Sequence, residues 1–176
     1  GSLAAKKNSQ LNFGNSGTLA RLLIGILSTN PDIEIKVSGD HSLKKRNMKK
    51  LINLMTEFGA TFYPKNKFNF PLKMISTEMP IGISYNAGVS AQLKSAVLLA
   101  GLNSYGNTYI FEKQKSRDHT ENMVLKNSQA VKIKNGKNKV IKVIGKKYLN
   151  ASNIEVPGDV SSSAFFTTLT LLNKNS

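Results

Sequence analysis

The sequence predicts an α/β fold of an inside-out kind, with helices at the centre and sheets on the outside. Three observations point to it. Residues 18–28, "TLARLLIGILS", and 90–102, "SAQLKSAVLLAGL", are apolar nearly all round, which suits buried helices and not half-exposed ones. The strand-like stretches, by contrast, alternate: "DIEIKVSGD" (32–40) sets Ile33, Ile35 and Val37 against charged neighbours, so one face meets water. Finally, the order repeats, residues 18–58 matching 91–131 at an offset of about 73, the mark of a domain built from copies of one unit. Alternating strands flanking all-apolar helices are the reverse of a doubly wound sheet, where the strands are the buried element.

Along the chain, "LNFGNSGT" (11–18) is a glycine-bearing turn in which Ser16 or Thr18 caps the first helix. A second helix is expected from Ser42 to about Phe58. It carries Met48, Leu51, Ile52, Met55 and Phe58 at three-and-four spacing, with Lys45, Arg46, Lys49, Lys50 and Asn53 on the other side. Gly59 stops it in the place of a C-terminal glycine. Short strands follow through "ATFYP", "PLKMIS" and "IGISYN". The second copy opens on the helix at 90–102, continues with the strand "NTYIFE", and starts another helix in "SRDHTENMVLKN", where Asp118 and Glu121 have the spacing of a capping box. It ends in strands at "AVKIK", "KVIKVIG" and "IEVPG".

Composition narrows the function. A chain of 176 residues with 40% hydrophobic content can bury a core. It has no cysteine and only His41 and His119, so neither thiolate nor histidine-rich metal sites are expected, and no cofactor is implied. The longest apolar run, "AVLLAGL" (96–102), falls far short of the ~20 residues of a membrane span. The reading is a soluble cytoplasmic protein without a membrane partner. Its net charge of +15 favours anionic partners. Of the 25 basic residues only Arg21, Arg46 and Arg117 are arginines, and each sits in a motif where a planar, bidentate donor is useful.

Those motifs share a design. "GNSGT" read alone is a helix start at least as readily as an anion loop, and it lacks the spacing and lysine of a P-loop. "GDHSLKKRNM" places Arg46 near the first turn of its helix. "VSAQLK" supplies Ser90 and Gln92 at a helix start, and "SRDHTE" leaves Ser116 and Arg117 just ahead of another. Each is a helix N-terminus or adjoining loop carrying Ser, Thr, Asn, Gln or Arg. If the helices run parallel, these weak anion sites open on one side and combine.

"FGNSGTLARLL", "GDHSLKKRNM", "SAQLKSAVLLAGL", "SRDHTE" and "VPGDVSSSAFF", in this order and spacing, closely resemble the 5-enolpyruvylshikimate-3-phosphate synthase family over almost the whole chain. The resemblance implies repeated βαβαββ units with parallel buried helices. It also implies transfer of the enolpyruvyl group of phosphoenolpyruvate to the 5-hydroxyl of shikimate 3-phosphate, with release of phosphate, on the route to aromatic amino acids. By motif it places Asn15, Gly17, Thr18 and Arg46 along the phosphoenolpyruvate pocket. Ser90, Ala91 and Gln92 would hold shikimate 3-phosphate, with Ser116 and Arg117 near its phosphate; Ala91 stands where other members carry a serine. Arg21 and Asp159 become supports. Members are more than twice as long, so the same resemblance makes residues 1–156 most of one domain, about two units, and 157–176 the first helix of a second. It leaves no catalytic acid or base in this chain, and the orphan helix becomes a face for self-association. Two other readings compete. One is a basic nucleic-acid binding module, suggested by runs such as "KKRNMKK" but opposed by an aromatic content of 7%. The other is an enolpyruvyl transferase acting on a UDP-sugar.

Overall fold

The computed structural model describes residues 9–151, 153–156 and 158–173. Two four-stranded sheets flank the helices, and they have the same topology. The first unit runs β1 (Ser9–Asn12), α1 (Gly17–Ser28), β2 (Glu34–Ser38), α2 (His41–Lys44), α3 (Lys49–Glu57), β3 (Thr61–Tyr63) and β4 (Leu72–Ile75), with sheet order β1-β2-β4-β3. The second runs β5 (Ser84–Ala87), α4 (Ala91–Asn103), β6 (Asn107–Glu112), α5 (His119–Asn127), β7 (Val131–Lys134) and β8 (Lys139–Ile144), in order β5-β6-β8-β7. In each, the first two strands are parallel and the rest antiparallel. Each unit is therefore βαβαββ, as the resemblance implies. The offset of 73 reappears as the distance from the start of β2 at Glu34 to the start of β6 at Asn107.

Burial follows the expected pattern. β2 buries Ile35 and Val37, β4 buries Leu72 and Met74, and β6 and β8 bury Ile110, Ile141 and Val143 toward the helices. The centre is α1 against α4. Thr18 meets Gln92 at one end, and Gly25 meets Ala96 further along, so the two helices run in the same direction. Their approach at Gly25 is close enough that a Cβ there would stand 2.7 Å from the Ala96 carbonyl oxygen. A side chain at that point forces the helices apart.

Three expectations need correction, and one strand is added. The helix expected over 42–58 is broken into α2 and α3. Leu43 and Met48 are both buried, and five residues of continuous helix would set them roughly 140° apart, off any single face. The chain resolves this by turning at Arg46–Asn47: the Met48 N–H donates to the Phe68 carbonyl at 2.7 Å, and Asn47 Oδ1 accepts the Lys49 N–H at 2.8 Å. Arg46 consequently stands in the break and not in a helical first turn. "IEVPG" is no strand among its described residues; Ile154 and Val156 are exposed, and the sheet already ends in β7. β1, with Leu11 as its one large apolar residue, is an addition that alternation could not reveal. Asp118 stands at the N-cap position of α5 without bonding a backbone N–H there, and Glu121 is buried and turned elsewhere, so the capping box does not form. Gly59 does end α3, at φ +110°. α6 (Val160–Leu172) presents Phe165, Phe166, Leu169, Leu171 and Leu172 to solvent.

Candidate functional site

The start of α1 is shaped by its cap. Ser16 Oγ accepts the Leu19 N–H at 3.1 Å, while Phe13 N–H bonds Ser38 O and Asp40 N–H bonds Gly14 O, both at 2.9 Å. The turn is thereby tied to the end of β2 and the entry to α2, which brings the α2–α3 break, and Arg46 with it, over the first turn of α1. A Cβ on Gly17 would lie 2.7 Å from Arg46 Nη1 and 2.8 Å from Arg21 Nη1. Two guanidiniums thus converge on the bare face of one glycine.

Each is held by neutral acceptors. Arg46 Nη2 donates to Asn15 Oδ1 at 3.2 Å. Arg21 Nη1 donates to Gly17 O at 2.9 Å and to Gln92 Oε1 at 3.0 Å, and Gln92 Nε2 donates in turn to Thr18 Oγ1 at 2.6 Å. Among the described residues neither arginine has a carboxylate partner. Burial first, and then the charge of Arg46, lower the Arg21 pKa from its ordinary value; a guanidinium nevertheless stays protonated at any working pH. Two like charges beside an exposed helix N-terminus, with no internal counterion, form a site that an anion would relieve.

Beside this cluster lies a cleft of about 160 Å³ lined by Thr18, Leu22, Ala91, Gln92, Ser95, Arg117, His119 and Thr120. Arg117 reaches it from the loop 113–118, and Ser95 Oγ and Thr120 Oγ1 share a hydrogen bond of 2.8 Å at its wall. The structure therefore gathers Asn15, Gly17, Thr18, Arg21 and Arg46 with Ala91, Gln92 and Arg117. Three expected residues stand differently. Ser90 is the N-cap of α4, its Oγ accepting the Leu93 N–H at 3.4 Å, and it borders a neighbouring groove with Lys50, Asn53 and Tyr85. Ser116 gives both its N–H (2.9 Å) and its hydroxyl proton (2.6 Å) to Glu112 Oε1, so that hydroxyl has no proton left for a ligand. Asp159 caps α6, accepting the Ser161 N–H at 3.0 Å; hydrogen bonding from Ser162 leads the causes that lower its pKa.

Sequence reasoning missed Leu22, Ser95, Thr120 and the cleft-facing role of His119. It also missed a buried ionic cluster behind the cleft. Lys94 Nζ lies 2.9 Å from Glu112 Oε1 and 2.7 Å from Glu121 Oε1, and Lys139 Nζ lies 3.1 Å from Glu121 Oε1. The signal was present: one lysine inside an otherwise apolar helix must find a counterion if it is buried. No group of three or more His, Asp or Glu able to hold a metal ion occurs among the described residues, and no described helix is long and apolar enough to cross a membrane.

Comparison with known proteins agrees with this geometry. The family described as EPSP synthase (3-phosphoshikimate 1-carboxyvinyltransferase) matches residues 1–175. The 3-phosphoshikimate 1-carboxyvinyltransferase of Parvibaculum lavamentivorans is 41% identical over 169 residues, covering 94% of this chain and 37% of the relative; that of Paramagnetospirillum magneticum is 39% identical, covering 94% and 38%. The EPSP synthase structure from Acinetobacter baumannii superposes with a TM-score of 0.77 at 38% identity, over 92% of this chain and 36% of that one. The enolpyruvyl transferase NikO from Streptomyces tendae, at 15% identity and a TM-score of 0.51, shares the fold over 74% of this chain and 30% of its own. The chain thus spans a little over a third of the length of the 3-phosphoshikimate 1-carboxyvinyltransferases it matches, and within that span it belongs to the EPSP synthase family.

Proposed function

We propose that this chain is the anion-holding part of a transferase that moves the enolpyruvyl group of phosphoenolpyruvate to the 5-hydroxyl of shikimate 3-phosphate. The observation that carries the reading is the convergence of Arg21 and Arg46 on Gly17 without a carboxylate between them. A carboxylate or phosphate of phosphoenolpyruvate supplies the missing negative charge, approaching where the absent Cβ leaves room. Gln92 and Arg117, on the adjoining cleft, meet shikimate 3-phosphate, with Ala91 giving space and no hydroxyl contact.

In the transfer, the C–O bond from the 5-hydroxyl to C2 of phosphoenolpyruvate forms, the hydroxyl proton must be removed, and the C2–O bond to phosphate breaks. Holding both anions together is what these residues contribute. The cleft lining contains no carboxylate to move the proton. His119 is the one side chain of that lining able to take a proton, and in this reading the 176 residues by themselves bind and do not turn over. Residues 1–156 form most of one domain in this reading, and α6 begins another. In the isolated chain the apolar surface of α6 is a face for self-association. Phosphorylated metabolites do not cross membranes unaided, so a cytoplasmic setting belongs to the same reading.

Isothermal titration calorimetry of the 176-residue chain tests it. Saturable binding of shikimate 3-phosphate, with phosphoenolpyruvate binding more tightly in its presence, is the expected result, with no phosphate released above background. No binding of either at millimolar concentration overturns the assignment, and turnover overturns the half-site. Tight retention of random single-stranded DNA at physiological salt, with no response to either metabolite, would favour the nucleic-acid reading instead.

A further inference from the structure

Lys94 sits near the start of α4, fully buried, with Leu93, Ala96, Val97 and Leu98 buried beside it in the sequence. Its ammonium is met by Glu112 from β6 and Glu121 from α5, and Lys139 from β8 completes the group, 3.1 Å from Glu121 Oε1 and 3.6 Å from Glu112 Oε2. Four elements each contribute one charge, and the total is neutral. As a source of stability this is a poor choice, because a buried ion group gains little over apolar residues of the same volume. Its geometry offers something that an apolar core would not.

Glu112 is the last residue of β6, where the strand passes into the loop that carries Arg117. One of its oxygens, Oε1, accepts three donors: Lys94 Nζ at 2.9 Å, Ser116 N–H at 2.9 Å and Ser116 Oγ–H at 2.6 Å. Two of the three belong to the loop itself, so Lys94 is the donor that ties this oxygen to a buried helix. Ser116 is adjacent to Arg117, so an error in the carboxylate position passes directly to the guanidinium. From this connection we infer that Lys94 is a positioning residue for Arg117: it fixes Glu112 Oε1, which anchors Ser116 and so sets where Arg117 stands in the cleft.

The inference rests on the proposed function for what Arg117 would bind, but its mechanical part is independent of any ligand. Two variants of the 176-residue chain separate positioning from mere structural support. Lys94→Met removes the ammonium at similar volume and leaves one excess buried negative charge. Lys94→Met with Glu121→Gln restores neutrality, Glu112 keeping Lys139 as its counterion. Amide hydrogen exchange read by NMR reports the anchor directly, and calorimetry with shikimate 3-phosphate reports its consequence.

In the charge-balanced double variant, thermal stability returns toward that of the parent. The Ser116 amide nonetheless exchanges at least tenfold faster than in the parent while the paired amides of β6 and β8 stay protected, and affinity for shikimate 3-phosphate stays about tenfold down. Recovery of Ser116 protection together with stability would show that Lys94 only balances charge, and overturns the inference. So does undiminished protection in Lys94→Met. If the single variant does not fold, the double variant carries the test. If the parent binds no shikimate 3-phosphate, the proposed function fails and the Ser116 exchange rate alone still decides the role of Lys94.

Discussion

The two units share one topology and use their charges in opposite ways. Each places a basic residue early in its first helix: Arg21 lies five residues beyond the N-cap Ser16, and Lys94 lies four beyond the N-cap Ser90. At the offset of 73 the two are the same position of the repeat, so what surrounds each side chain, and not its place in the unit, sets its role. Arg21 bonds Gly17 O and Gln92 Oε1 and has no carboxylate among the described residues, whereas Lys94 meets Glu112 of β6 and Glu121 of α5. The first unit leaves its positive charge available to a ligand. The second neutralises its own and uses the resulting rigidity to hold a loop. A duplicated scaffold can therefore divide binding and positioning between its copies by changing the partners around one equivalent position, without any change in fold.

The largest expected effect breaks the binding side of this contrast. Arg46→Ala removes a charge-assisted, potentially bidentate contact, so phosphoenolpyruvate affinity should fall roughly 100-fold, about 3 kcal/mol. Arg46→Lys should recover only part of it, because an ammonium does not reproduce the planar fork. Relieving the repulsion at Arg21 should leave the melting temperature of the ligand-free chain unchanged or slightly raised. A large fall in stability with little loss of affinity would mean that Arg46 is structural and that the asymmetry between the units is misplaced.

A second effect, no larger, lies on the positioning side, and pH exposes it. Burial pushes the Glu112 carboxyl up, but hydrogen bonds from the Ser116 hydroxyl, Lys94 and the Ser116 amide, with the charge of Lys94, outweigh it and hold the pKa at about 2, against an ordinary 4.5. The folded value is the lower one, so the unfolded chain binds the proton more readily. This contribution is complete above pH 4.5 and is lost as pH falls toward 2, by up to about 3 kcal/mol. Urea unfolding across that range should show Glu112→Gln with a shallower loss than the parent. Arg46→Ala should keep the parent's slope, since a guanidinium does not titrate there; a change of slope in Arg46→Ala and none in Glu112→Gln would reverse the proposed division between units.

Much of this was legible in the sequence. Hydrophobic period and repeat offset identify the buried helices and the outward sheets, because both depend on what each residue can bury. The stretch "LARLLIG" reads as a buried helix from its apolar residues, and Ala20, Ile24 and Gly25 are buried, while Leu19 at its start is exposed. Where the reading failed, the deciding partner lay far along the chain. Asn47 and Met48 break a helix only because Phe68 offers a carbonyl at that point. The pair Asp118 and Glu121 has capping-box spacing whether Glu121 bonds its own N-terminus or Lys94, 27 residues earlier. Local pattern supplies the residue types of a polar site, and tertiary packing decides which of them remain unpaired.

The smallest expected effect is the sharpest test of the open side of the comparison. Gly17→Ala adds one methyl whose near neighbours are the tips of Arg46 and Arg21, at 2.7 and 2.8 Å. Flexible side-chain ends can move aside, so the fold should barely respond, with a stability change within about 0.5 kcal/mol. The moved guanidiniums, however, no longer converge, and the methyl occupies the approach to the helix N-terminus. Phosphoenolpyruvate affinity should drop about tenfold, or roughly 1.4 kcal/mol, with shikimate 3-phosphate affinity changed less because Arg117 is untouched and Gln92, though it loses its bond from Arg21, keeps the one to Thr18. Equal losses for the two ligands would mean that they do not occupy separate halves of the site. An unchanged phosphoenolpyruvate affinity would mean that the open face of Gly17 is a packing requirement of the two arginines and not the place where the anion enters.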